Sequence, residues 1–277
     1  MIKNIDASDL DSLISKLKNT FSFGDWDKIL LLAESLIEKT NVIDNITKMT
    51  GVNFNQAERS LVYYYGFAYM AIGTVYEYKC DYPKAREWAL KYSDWSSIIS
   101  PTAEDIKWIN HWTKLSEINV IAAELLMGKE EALDRIADYI LENPEEALAG
   151  LVTMLEAANM NSMNIDHVLD RIPEDFWKND KTLGVVNMSY QYRYFRQLSL
   201  YKQKCNELHF CLENLLRALS LADKMKNVAD FEECVHLFET LKDHADSRQE
   251  KAFNRIIKGA IRHEKVVSIS IANIRGS

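Results

Sequence analysis

Residues 132–144 read Ala-Leu-Asp-Arg-Ile-Ala-Asp-Tyr-Ile-Leu-Glu-Asn-Pro. The small Ala132 is followed, at helical spacing and on one face, by the larger Ile136 and Tyr139. The small side chain lets this helix pack closely against the helix before it. Pro144 then ends the unit, because proline disrupts a helix interior. We therefore expect this stretch to be the second helix of a packed antiparallel pair.

The same alternation of small and larger apolar residues recurs elsewhere in the chain. Its members are Trp26, Ile29, Ala33 and Leu36, then Tyr82, Ala85, Ala89 and Tyr92, and finally Leu208, Cys211, Leu215 and Ala218. Helix pairs of this kind cannot bury their apolar faces alone, so they stack on one another. The pattern predicts an all-α fold, a right-handed superhelix of stacked antiparallel helix pairs. A plain helical bundle is the alternative, since Leu and Ala at this spacing occur in any bundle.

Amphipathic patterning covers almost the whole chain. The predicted helices are 7–20, 25–39, 41–50, 54–80, 82–98, 102–127, 129–142, 144–160, 164–171, 181–203, 205–226, 228–244 and 246–264. We expect one helical repeat domain over 1–265, with an irregular break at 159–180. A tail over 266–277 follows, in which the alternation at 266–271 predicts a short strand.

Composition narrows the class of protein. The chain has 277 residues and a net charge of −8, which argues against direct binding of nucleic acid because phosphate contacts need a basic surface. We expect no membrane span and no apolar signal core at the N-terminus. The four cysteines form no Cys-x-x-Cys pair, which fits a reducing cytoplasm.

No motif predicts catalysis, a cofactor or a metal site. Glu233-x-x-His236 is half of a carboxylate-bridged di-metal motif, and no second copy is present in the sequence. Cys205 and His209 could share a face, but a closed zinc site needs four ligands. We therefore expect a protein that is not an enzyme, with no catalytic residues, no cofactor and no metal.

Two groups of side chains are candidates for ligand binding. Both lie on helices that we expect to be the first member of a helix pair. Tyr63 and Phe67 lie four residues apart, and we expect them to face a concave surface if first helices line it. On 102–127, Asn110 and Asn119 are candidates for contacts with a peptide backbone, because an amide side chain pairs with both N–H and C=O groups. Core packing and a solvated helix face are the respective alternatives.

A third group is the densest mixture of tyrosine, arginine and amide side chains in the sequence. It contains Asn187, Tyr190, Arg193, Tyr194 and Arg196. Arginine offers a fork of donors to a carboxylate, and tyrosine offers rigid contact area. We expect the arginines to bind acidic groups of a short peptide, the asparagine its backbone and the tyrosines its side chains. A solvated helix face with local ion pairs is the alternative.

These residues resemble a known family. The stretches Gly66-Phe67-Ala68-Tyr69, 82–87 and Ala132-x-x-x-Ile136-x-x-Tyr139 resemble the tetratricopeptide arrays of Gram-positive peptide-pheromone receptors. That group includes the Rap-type phosphatases and the PlcR, PrgX, NprR and Rgg regulators. The stretch 234–245 also resembles the C-terminal repeats of that group.

The resemblance implies that side chains of inner helices clamp a short linear peptide. The chain also differs from that family at its N-terminal side, because its repeats begin by about residue 10. We therefore expect neither the DNA-binding domain nor the phosphatase bundle of those relatives. The expected function is a peptide- or protein-binding sensing module of a Gram-positive cell-cell signalling or transcription-regulatory system, acting in the cytoplasm. Its partner would be a short peptide or protein segment, and its exposed helices allow a homodimer. The alternative is a structural scaffold for protein–protein assembly without a small peptide ligand.

Overall fold

The computed structural model describes residues 8–51, 57–98, 100–173 and 185–274. These residues form helices, turns and short irregular stretches, with no β-strand among them. The prediction of an all-α protein is confirmed. None of the described helices combines the length and apolar character needed to cross a membrane.

The chain divides into two compact units, one up to Ala132 and the other from Leu133 onward. The prediction of one domain over 1–265 stays a prediction. Unit 1 contains α1 Ser8–Phe23, α2 Trp26–Thr50, α3 Leu61–Tyr78, α4 Tyr82–Leu90 and α5 Ala103–Leu126.

Helix α6 Ala132–Glu142 starts at the boundary, and unit 2 continues from it. The other helices of unit 2 are α7 Ala147–Asn161, the short α8 Asp166–Leu169, α9 Val185–Lys204, α10 Leu208–Met225, α11 Val228–Thr240 and α12 Ser247–Ile274. Single 3-10 turns lie at Pro144–Glu146 and Lys242–His244.

Local sequence explains several helix ends. The Thr102 and Asp105 side chains form a capping box that satisfies the first amides of α5. Asp81 accepts a hydrogen bond from the Lys84 amide at the start of α4, where proline is tolerated in the first turn. Helix α2 ends at Gly51, which adopts φ 68° in the left-handed region that glycine enters at little cost.

Several predicted boundaries were wrong. The helix predicted over 82–98 ends at Leu90, and the helix predicted over 54–80 begins at Leu61. Helix α2 runs unbroken through the expected gap near residue 40, because Thr40 is buried and its hydroxyl donates to the carbonyl of Leu36 instead of stopping the helix. The expected strand at 266–271 is the continuation of α12. The irregular break expected at 159–180 is described only to Pro173, and there it contains the left-handed Ser162 and the single turn of α8.

Unit 1 has a regular packing order. Helix α2 contacts both α1 and α3, and α4 contacts both α3 and α5. Helix α3 also contacts α1 and α5 directly. Alternate helices therefore form a layer of α1, α3 and α5, and α2 and α4 bridge its neighbouring members.

Glycine makes one of these contacts possible. A β-carbon built on Gly66 of α3 would lie only 2.3 Å from the indole of Trp112, which is buried on α5. Only hydrogen at this position leaves space for the ring, so Gly66 sets how closely α3 and α5 approach.

Unit 2 is built around α9 and α10, which contact each other along much of their length. Helix α7 packs on α9, and α11 and α12 pack on α10. The rings of Phe238 and Phe253 stack with centroids 4.1 Å apart, and both side chains are buried. Ala132 and Ile136, which head the pattern in α6, are buried as well.

Candidate functional site

A cleft of about 310 Å³ lies in unit 1, between α1 and the chain that leads into α3. The residues around it combine charged, polar and aromatic side chains. They are Asp11, Ile14, Ser15, Lys18, Asn19, Glu58, Arg59 and Tyr63. The cleft thus lies at the α1–α3 edge of the layer formed by alternate helices.

Asp11 holds the two walls of the cleft together. Its carboxylate accepts hydrogen bonds from the Tyr64 hydroxyl and from the Glu58 amide, the latter at 3.1 Å. The Tyr64 oxygen in turn accepts from the Arg59 amide at 3.2 Å. Burial, reinforced by the hydrogen bond to Asp11, raises the pKa of Tyr64 well above its usual value. The tyrosine therefore stays neutral and keeps donating to the carboxylate.

Aromatic rings continue from the cleft across the layer. The Tyr63 ring lies 4.6 Å from that of Trp108 and 6.1 Å from that of Phe67, measured between centroids. Trp108 stacks on Trp112 at 6.2 Å. Tyr63 and Trp108 are half-buried, so these rings form a floor that is only partly covered by protein.

Cations lie over the floor. The Arg59 guanidinium is 5.7 Å from the ring centroids of both Tyr63 and Trp108. The Lys18 ammonium is 5.8 Å from the Phe67 centroid, and the Lys107 ammonium is 5.4 Å from Trp108. Such distances are within the range of cation–π attraction, so the cations are held beside the aromatic surface without being buried.

The predicted residues Tyr63 and Phe67 are therefore brought together, although Phe67 is buried and only Tyr63 lines the cleft. Asn110 is exposed on α5. The Asn119 amide donates to the Tyr92 hydroxyl at 2.7 Å, so this group already has a partner inside the protein. Burial raises the pKa of Tyr92 to about 12.

The remaining candidates lie on α9 in unit 2. Arg193 pairs with Glu156 at 2.7 Å and lies 5.7 Å from the Tyr190 ring, so these two predicted residues are neighbours. Tyr194 is buried. The side chain of Asn187 lies outside the described part of the structure.

Arg196 has a different environment from Arg193. Its side chain is only 13% exposed, and one nitrogen pairs with Glu233 of α11. Within the described structure, Nε and Nη1 of Arg196 and the hydroxyl of nearby Tyr192 are buried without a hydrogen-bond partner that meets normal geometry. Burial raises the pKa of neighbouring Cys234 to about 11, although the arginine charge opposes the shift. The two predicted arginines thus pair with carboxylates on different helices.

One group of potential metal ligands occurs in the described residues. Atoms of Asp166, Cys205 and Glu207 lie within 4.8 Å of one another. The Lys202 ammonium is 3.5 Å from Asp166 and 3.1 Å from Glu207, so one cation pairs with both carboxylates. The half-motif residue Glu233 is likewise paired with Arg196.

Sequence reasoning missed Asp11, Lys18, Arg59 and Trp108. Their contribution depends on α1 and α5 lying on either side of α3, which no short-range pattern reveals. The one available signal was the spacing of Trp108 and Trp112, which lie four residues apart on the predicted helix 102–127.

Comparison of the chain with protein-family models, curated proteins and solved structures found no match.

Proposed function

We propose that this protein binds a short peptide or a segment of a partner protein, and that the α1–α3 cleft of unit 1 is the main contact. The single observation that carries the proposal is the combination of a cleft with a half-exposed aromatic floor and cations beside it. Rings supply apolar contact area, and the charged groups orient polar ends of a ligand.

The packing of unit 1 supports a repeat architecture. Helices α1, α3 and α5 behave as first helices, and α2 and α4 as second helices, in a series of stacked pairs. We propose that this series is the right-handed, tetratricopeptide-like superhelix expected from the sequence. In such arrays the first helices line the inner face, and the residues that line the cleft belong to α1, to the start of α3 and to the chain leading into it, which are first helices in this proposal.

We further propose that the chain works by binding and not by catalysis, as the sensing module of a Gram-positive cell-cell signalling or transcription-regulatory system in the cytoplasm. The stretch 66–69, which carries part of the resemblance to peptide-pheromone receptors, lies on α3 next to the aromatic floor. Ligand binding would be reported through altered packing of the stacked pairs or altered partner contact.

Arg193 and Arg196 remain proposed contacts for acidic groups, with Asn187 for the ligand backbone. A ligand carboxylate would have to replace Glu156 at Arg193 or Glu233 at Arg196. This exchange costs less at Arg193, because its side chain is 47% exposed.

Calorimetric titration of the full chain with a pool of synthetic hexapeptides tests the proposal. We expect binding that is weakened by Tyr63→Ala and by Trp108→Ala. Phe210→Ala is the matched control, because Phe210 is an exposed aromatic residue in unit 2. Equal binding by all variants would remove the cleft from the proposal, and unchanged affinity of Arg193→Ala and Asn187→Ala would remove those residues.

One observation favours the alternative of an assembly scaffold. Leu31, Val42 and Met49 are exposed on α2, and their spacings of eleven and seven residues are close to whole helical turns, so they share a face. Such a face suits a large protein partner or a second copy of the chain. If this alternative holds, Leu31→Lys with Met49→Lys abolishes a dimer or complex seen by light scattering, and cleft variants leave it intact.

A further inference from the structure

The exposed side of α12 carries a row of cations. Lys251, Arg255 and Lys258 are all exposed, and at 3.6 residues per turn they lie within about 60° of one another around the helix. The same spacing continues in the sequence with Arg262 and Lys265. We call Lys251, Arg255 and Lys258 the basic row. It is about 10 Å long, at about 1.5 Å per residue.

The other side of α12 attaches the helix to its neighbours in unit 2. Phe253 is buried, lies roughly opposite the basic row around the helix, and stacks on Phe238 of α11. The Gln249 side chain donates to the His209 carbonyl of α10 at 3.0 Å. These contacts fix the rotation of the helix, so the basic row faces away from the helices that α12 packs on.

The basic row has no carboxylate partner within the described part of the chain, since no ion pair there involves its three side chains. Other cations of unit 2 differ. Lys202 pairs with two carboxylates, and Arg248, about one turn before the row, pairs with Glu213 of α10. Like charges three and four residues apart repel one another and destabilise a helix. An anionic partner on this face would remove the repulsion.

The charge around the basic row limits what that partner can be. The whole chain has a net charge of −8, so only a ligand that contacts the row locally is attracted to it. The exposed Glu250 lies about 100° from Lys251 around the helix, and the exposed Asp243 and Asp246 precede α12. A broad anionic surface such as a lipid bilayer would meet these acidic groups as well, whereas a narrow acidic segment would meet only the row.

We propose that the basic row of α12 docks an acidic helix of a partner protein, whose carboxylates face the three cations at the same three- and four-residue spacing. Two helices that lie side by side can place such rows opposite each other, as the charged positions beside a helix–helix seam do. The surface shares no residue with the α1–α3 cleft, and the inference goes beyond the proposed peptide-binding function. It gives the chain a second contact, selected by charge.

The test uses two synthetic helical peptides of equal composition. One carries its glutamates in a single row at three- and four-residue spacing, and the other carries the same glutamates spread around the helix. Binding to the full chain is measured by fluorescence anisotropy. We expect the first peptide to bind about tenfold more tightly, because three exposed ion pairs, each contributing a factor of about two to three, form only with that peptide. The difference should shrink at high salt. Equal affinities at low salt would overturn the inference.

Two sets of substitutions assign the contact. The first replaces the whole basic row with glutamine and should abolish the tenfold preference. All three positions are exposed, and the change removes a repulsion, so the helical fold should be retained in circular dichroism. The matched control makes the same change in net charge at three exposed lysines of α1, α2 and α10, Lys16→Gln, Lys28→Gln and Lys224→Gln. The control should keep the preference. Equal losses in the two sets would show that only net charge matters and would overturn the inference.

Other anions provide the remaining outcomes. Phosphatidylglycerol vesicles and a DNA duplex are offered to the parent chain and to both sets of variants. Tighter binding of either one through the basic row than of the first peptide would assign the row to lipid or nucleic acid and overturn the inference. Hexapeptide binding by the cleft should be the same in both sets of variants, so a failure here leaves the proposed function standing.

Discussion

The cations beside the cleft of unit 1 and the two arginines of α9 in unit 2 have different surroundings. In unit 1, Arg59 and Lys18 lie over aromatic rings at the edge of a cleft. In unit 2, Arg193 and Arg196 of α9 pair with carboxylates from α7 and α11. The exposed cations beside the cleft lie next to apolar ring surface, whereas the enclosed Arg196 depends on its carboxylate. The comparison explains why the cleft of unit 1, and not the arginine-rich helix of unit 2, is the stronger candidate for ligand binding.

The largest expected effect concerns the close helix contact in unit 1. Gly66→Ala should lower the free energy of unfolding by about 3 kcal/mol, because the added methyl group overlaps the buried Trp112 indole. Urea unfolding followed by circular dichroism measures the change. Gly259→Ala on α12 is the control: its added carbon meets nothing within 4 Å, so it should be neutral or slightly stabilising.

Gly150→Ala extends this comparison to unit 2. The added carbon would lie 2.7 Å from a side-chain carbon of Ile140, and an aliphatic chain can shift more easily than an indole. We expect a loss smaller than for Gly66→Ala. A loss as large as that of Gly66→Ala would show that the two units are packed with equal rigidity.

The second effect appears at alkaline pH. The pKa of Tyr92 is raised by burial to about 12, whereas the value in the unfolded chain is about 10. The folded state therefore binds more protons between these values, and stability present below about pH 10 is lost as the pH rises toward 12, by about 2–3 kcal/mol for this group.

Stability measured against pH for the parent chain and Tyr92→Phe checks this expectation. The variant loses the hydrogen bond from Asn119 at every pH, but its curve should fall less steeply above pH 10. Parallel curves for the two proteins would contradict the assignment.

The third effect separates the two arginines of unit 2. Glu233→Ala leaves the enclosed Arg196 without its carboxylate and should cost about 1–3 kcal/mol. Glu156→Ala should cost less than about 1 kcal/mol, since Arg193 is well exposed. Equal costs in urea unfolding would mean that burial does not distinguish the pairs.

The smallest effect compares two exposed arginines, Arg59 beside the cleft of unit 1 and Arg193 on α9 of unit 2. Arg59→Met and Arg193→Met should each change stability by less than about 1 kcal/mol. Added salt should weaken the contribution of Arg193, because salt screens exposed ion pairs. Unfolding curves at low and high salt measure the difference.

Much of the fold could be predicted from the sequence, because the periodicity of a helix shows in residues that are close together along the chain. The all-α class followed from it. The break expected near residue 40 failed because a buried Thr40 can satisfy its hydroxyl within the helix. The strand expected at 266–271 failed because alternation of apolar residues over six positions does not exclude a helix.

The candidate site was harder to predict from the sequence, because it depends on contacts between residues that are distant along the chain. Tyr63 and Phe67 were identified from their helix face, but Asp11 reaches Tyr64 across 53 residues of chain. The carboxylates that hold Arg193 and Arg196 are each 37 residues away in sequence. Spacing on α9 could show that the arginines were close together, but not that each already had a partner.

The hydrogen bonds of Asp11 and Tyr64 have one more consequence. The amides of Glu58 and Arg59 precede α3, outside any helix, yet both donate to side chains from the walls of the cleft. Their hydrogens should therefore exchange slowly with deuterated water, unlike those of an ordinary surface loop. A molecule entering the cleft would change that rate at two backbone positions, so deuterium uptake by this short stretch is an intrinsic reporter of occupancy.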